Sequence, residues 1–168
     1  MAVLFRPSIV PLIDAFRSLE ALSDRYDLHI LEGPERDLAR FMEPAAARAA
    51  VSDAMLLAFA LGRQRGGPLA HRPLGSRRGS LDEYCILSLI AAAQEPESEL
   101  AFEAAAALGV VSFDFIFGMA ADLLRQIDHG GLALERPSLE EFRAIVGDGG
   151  LVDAPSRFEL EASFHFHH

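Results

Sequence analysis

The sequence contains no lysine, no tryptophan and only one cysteine, Cys85. Without lysine there is no Walker-type phosphate lysine, no Schiff-base lysine and no pyridoxal-phosphate anchor. A single thiol excludes an internal disulfide and any all-cysteine zinc or iron–sulfur site within one subunit. An uninterrupted apolar run is missing as well. The longest stretch, Ala104 to Ala121, is broken by Gly109, Ser112 and Asp114, so no membrane span is expected. The start, MAVLFRPSIVPLIDAF, has no basic segment leading into an apolar one, and no signal peptide is expected. An all-arginine basic complement fits a GC-rich bacterial genome, and the expected compartment is a reduced bacterial cytoplasm.

What is present points to one helical domain spanning 1–168. A chain of 168 residues, 51% of them hydrophobic, buries enough surface to fold without a disulfide or metal. Much of that fraction is alanine, the strongest helix former. The net charge of −10 opposes general nucleic-acid binding. Its distribution is uneven: residues 1–62 carry −3, residues 63–80 carry +5 with no acid, and residues 81–168 carry −12.

Periodicity and caps give the elements. Ile9, Leu12, Ile13, Phe16, Leu19 and Leu22 fall on one helical face, with Asp14, Arg17 and Ser18 falling away from it. YDLHIL reads as a short extended piece, and Gly33-Pro34 opens a short helix carrying Leu38, Phe41 and Met42. Pro44 opens a longer helix through about Leu61, apolar from Ala54 onward as a central helix is. Ser80 and Glu83 form a capping box for a helix apolar on all sides, which contains Cys85. Pro96 starts another, with Phe102 and Leu108 inward. Ser112 caps the next, closed by Gly130-Gly131, and Ser138 with Glu141 makes a second box for a last helix ending at Gly147. The fold class expected is all-α, a compact array of six or seven helices with at most a short terminal β element. Residues 151–168 read as a flexible or strand-like tail, because apolar and polar residues alternate in RFELEASFHFHH. Its partner would be AVLF at the N-terminus or LHIL.

The sharpest feature is GRQRGGPLAHRPLGSRRG, a basic loop at 62–79. Arg63, Arg65, His71, Arg72, Arg77 and Arg78 crowd it with no acid between them. Arginine forks suit phosphate or carboxylate, so these six are the candidate site for an acidic protein partner or a small anion. The competing reading is a loop folded back onto the acidic residues of its own chain. Other candidates are thinner. Cys85 lies too far into an apolar helix to be an activated nucleophile and reads as structural. Asp114 and Asp122 share a helix side but lack the Glu-x-x-His or His-Glu-x-x-His that would complete a metal site. His165, His167 and His168 alternate in the tail and would hold a metal only weakly. No cofactor or metal is expected; the oligomeric state is left open, a homodimer included.

The function that fits is a non-catalytic interaction or regulatory protein acting through the arginine loop, an apolar patch, or both. The alternative is a small enzyme or ligand-binding protein with a pocket among the aromatic helices, using Asp114, Asp122, His71 or Cys85.

Overall fold

The computed structural model describes residues 3–25 and 28–150. It is all-α, with seven α-helices and one two-stranded ribbon among the described residues. The order is β1 (Val3–Leu4), α1 (Val10–Arg25), a 3-10 turn (Leu28–Leu31), α2 (Glu32–Leu38), α3 (Pro44–Arg65), β2 (Arg78–Gly79), α4 (Leu81–Ala91), α5 (Glu99–Ala107), α6 (Phe113–His129) and α7 (Leu139–Gly150).

Local chemistry sets most boundaries. At α3, Pro44 takes the first helical position, where no donor is needed, and the Glu43 carboxylate accepts from Ala45 N and Ala46 N. Gly66 closes it in the left-handed conformation at φ 73°. The Ser80–Glu83 box forms in both directions at α4. Ser98 caps α5 through Ala101 N at 3.2 Å, so that helix starts after Ser98 rather than at Pro96. Ser138 caps α7 through Glu141 N, and the helix continues past Gly147 to Gly150. Ser112 precedes α6 but makes no side-chain cap. Gln64, at the end of α3, supplies it instead, its Oε1 accepting from Val111 N and Ser112 N at 2.9 Å each. At the other end Glu43 N donates to Gly130 O. α3 and α6 therefore lie side by side and antiparallel.

The core is centred on α4, whose side chains from Cys85 to Ile90 are all buried. That helix packs against α5, α6 and α7, and Leu12, Ile13 and Phe16 of α1, Leu57 and Leu61 of α3, Ile116 of α6 and Phe142 of α7 are buried in the same core. By length and composition α3 could cross a bilayer. In this fold its inner face, from Ala46 to Leu61, is buried, against α1, α2 and α6.

Several expectations change. LHIL is not extended but forms the 3-10 turn, while Tyr26 and Asp27 lie outside the described residues. The basic segment does not begin at 62, because α3 continues through Arg65. β1 pairs antiparallel with β2 at the end of that loop; the tail expected to pair with AVLF or LHIL lies outside the described residues. Gly79 permits this pairing, since a Cβ there would sit 2.2 Å from the Phe5 ring. Phe41 and Phe102 are exposed, because α2 and α5 lie at the edge of the array. Phe102 rests on Phe113, with ring centroids 5.2 Å apart. Leu56 and Phe59 are exposed too, so α3 is not sheathed all round. The largest change concerns α1: Asp14, Arg17 and Ser18, placed on its outer side by periodicity, are buried.

Candidate functional site at the arginine loop

The polar side of α1 is covered by the chain between Gly66 and Ser80. Arg17 is the anchor. Its Nε donates to Glu83 Oε2 at 2.6 Å, and Nη2 donates to Glu83 Oε1 at 3.0 Å and to Arg78 O at 3.2 Å. Nη1 donates to Asp14 Oδ1 and to Ser76 O, each at 3.0 Å. All five guanidinium donors are thus satisfied, the condition under which a buried cation is tolerable. Asp14 in turn accepts from Gly75 N at 3.0 and 3.2 Å. Gly75 has φ 81°, a conformation that glycine adopts without strain.

Glu83 carries the other half of this clamp and is fully buried. Besides Arg17 it accepts from Ser80 N (2.9 Å), His71 Nδ1 (3.0 Å) and Arg72 N (3.3 Å). A carboxylate only accepts, so His71 Nδ1 carries the proton of that bond. Next to it Asp82 accepts from Arg65 Nη1 at 3.0 Å and Ala70 N at 2.7 Å, while Ser80 Oγ donates to Ala70 O at 2.5 Å. The loop is held mainly through its backbone, by side chains of α1 and of α4 with its cap Ser80.

Burial alone would push the Glu83 carboxyl up. The hydrogen bonds from His71, Arg17 and Ser80, with the Arg17 charge, outweigh it and hold the group below the ordinary glutamate value. A depressed acid contributes stability that is complete above its unfolded pKa, about 4.3, and is lost as pH falls through the lower folded value. The melting temperature is therefore expected to fall steeply on acidification below about pH 4. Glu83→Gln should start from a lower value at neutral pH and fall less over the same interval. Thermal melts of both proteins between pH 7 and pH 3 check this; parallel curves would remove Glu83 as the cause.

The six loop candidates thus have different surroundings. Arg65 is paired with Asp82, and His71 with Glu83. Arg72 and Arg78 contribute the backbone groups that meet Glu83 and Arg17. Arg77 is exposed, and its Nε donates to Phe5 O. Arg63 is exposed on α3, its guanidinium 5.8 Å from the centroid of the Phe59 ring, with no carboxylate within ion-pair distance among the described residues. Arg63 and His71 share the lining of a cleft of about 330 Å³ with Phe16, Leu19, Phe59 and Leu69.

The remaining candidates stand apart. Cys85 is buried within α4, whereas Asp114 and Asp122 are exposed on α6. Asp122 pairs with Arg125 one turn on. Neither aspartate nor Cys85 lines the cleft at His71. Among the described residues no three His, Cys, Asp or Glu side chains gather as a metal site.

Arg17, Asp14, Asp82 and Glu83 were not candidates by sequence. The one available signal was their spacing: Asp14 and Arg17 lie three apart, and Glu83 closes a capping box. Neither says that a loop some sixty residues from Arg17 settles between them. Comparison with known proteins adds no kinship: no protein-family model, curated protein or solved structure matches this chain.

Proposed function

We propose that this chain is a non-catalytic interaction protein that engages a protein partner through the outer face of the α3–α6 pair. Four large apolar side chains there, Leu56, Phe59, Val111 and Phe115, are each more than half exposed, and this observation carries the reading. Leu56, Phe59 and Arg63 recur along the outer side of α3. Gln64 fixes the end of α3 against the start of α6, which brings Val111 and Phe115 to the same end of the pair. Single exposed apolar residues are ordinary, but several gathered at one end of a helix pair mark a docking surface. Arg63, free of a carboxylate partner among the described residues, adds a fork for an acidic group of the partner. The charge of the arginine loop plays a smaller part, since Arg65 and His71 are already matched by Asp82 and Glu83.

Leu56→Glu with Phe115→Glu tests this. Both side chains are exposed, so the double variant should melt within a few degrees of the parent. It should lose the proteins that co-purify with the wild type in quantitative capture from native lysate. If a second copy is the partner, light scattering should show the mass falling to that of a monomer. An unchanged capture profile together with unchanged mass would refute the assignment of this face.

A further inference from the structure

The cleft between α1, α3 and residues 67–71 shares Phe59 and Arg63 with the open face, and its chemistry is more specific. We infer that it binds a small carboxylate with an apolar body, such as a medium-chain fatty acid or an arylalkanoate, with the carboxylate on Arg63. At about 330 Å³ it falls at the lower end of the range of small-ligand sites. Its lining among the described residues is apolar side chains, glycine and proline, except for Arg63 and His71. Among the described residues no acidic side chain contributes to that lining. An apolar body is matched by Phe16, Leu19, Phe59 and Leu69, and a single negative charge by the Arg63 guanidinium, the one arginine in the lining among the described residues.

Three observations narrow the charge. Arg63 lies over the Phe59 ring, which holds a cation beside an apolar wall without neutralising it. His71 is held in the lining by its bond to Glu83, which takes up its Nδ1. The cleft also opens at the C-terminal end of α3, where the last carbonyls carry the negative end of the helix dipole. A phosphate dianion would meet those carbonyls with only one guanidinium to offset them. A monoanion is paired by the same guanidinium in full. A primary amine would face Arg63 directly and is disfavoured.

Gly62 supplies a clean test. It lines the cleft, and a Cβ built on it meets nothing within 4 Å. Gly62→Leu should therefore fill the cleft without a clash, and leucine is the better helix former at this position. Isothermal titration of the full chain with decanoate, decanol, decylamine and inorganic phosphate reads the chemistry. Decanoate should bind one to one, more tightly than decanol, with decylamine and phosphate giving no saturable heat. Arg63→Gln should weaken decanoate by about tenfold or more and leave decanol unchanged, as loss of a charge-assisted hydrogen bond implies. Gly62→Leu should abolish both, with an unaltered far-ultraviolet spectrum. Absence of decanoate binding by the wild type would overturn the inference. So would equal affinity in Arg63→Gln, undiminished binding in Gly62→Leu, or phosphate or decylamine binding as tightly as decanoate. The Leu56→Glu/Phe115→Glu protein should bind decanoate like its parent, so failure of the docking face and failure of the cleft are read separately.

Discussion

Arg17→Ala is expected to destabilise the protein by about 3–5 kcal/mol, the usual consequence of removing one member of a buried ion pair. The magnitude follows from what is left behind. Glu83 has no exposure to solvent and would lose both forked bonds, while Asp14 would lose its cation and the carbonyls of Ser76 and Arg78 one donor each. For a chain of this size that corresponds to a fall in melting temperature of roughly 10 °C or more. Arg17→Lys should recover only part of it, because an ammonium cannot span both oxygens of Glu83 and still reach Asp14 and two carbonyls. Arg77→Ala, whose side chain is exposed and donates to one carbonyl, should cost no more than about 0.5 kcal/mol. Hydrogen exchange gives the local readout: the amides of Ala70, Arg72 and Gly75, which donate to Asp82, Glu83 and Asp14, should lose protection in Arg17→Ala beyond the global change. Equal losses in Arg17→Ala and Arg77→Ala would show that the clamp does not hold the loop. The same loop forms a wall of the cleft at Leu69 and His71, so decanoate binding should weaken alongside.

Phe142→Ala is expected to cost a comparable amount, about 3–5 kcal/mol, as truncation of a buried phenylalanine does. Its ring is the one fully buried aromatic of α7 among the described residues and stacks on Tyr84, with centroids 5.9 Å apart. Among the described elements α7 leans chiefly on α4 and α5. Its other ties are exposed, principally Arg143 to Glu103 and Glu99, and exposed pairs contribute little. The variant should therefore release α7 before the remainder unfolds, because local stability follows buried apolar contact. Exchange protection should drop across 139–146 while the amides of α3 and α4 keep theirs. With no tryptophan and only two tyrosines in the chain, the near-ultraviolet signal of Tyr84 should change as well. Uniform loss of protection across all helices would show instead that α7 belongs to the central cooperative unit.

Both predictions concern features that differ in how far they could be read from the residues. The helices were legible because their signals are local. Ser80 with Glu83, Ser138 with Glu141, Pro44 and the glycines after α5 and α6 act within four or five positions of themselves, as does the period of apolar residues along α1 and α6. The composition of 62–79 marked an unusual segment for the same reason. Periodicity also located the apolar side of α1 and α6, but it is silent on what comes to cover the polar side. Arg17 and Asp14 therefore read as solvated and are buried, since residues 66–80 settle on them and bring Glu83 into reach. In α3 the failure is the reverse. A helix apolar on every side carries no directional signal, so only the placement of α1, α2 and α6 determined that Leu56 and Phe59 face outward. The sequence alone thus determined the helical class, most helix ends and the position of the basic segment. Which arginines are matched by carboxylates, which apolar side chains are left outside, and that Arg63 and His71 share a cleft were decided by the tertiary structure. The physical reason is that burial and charge pairing depend on residues far apart in the chain, whereas helix propensity and capping are set within a single turn.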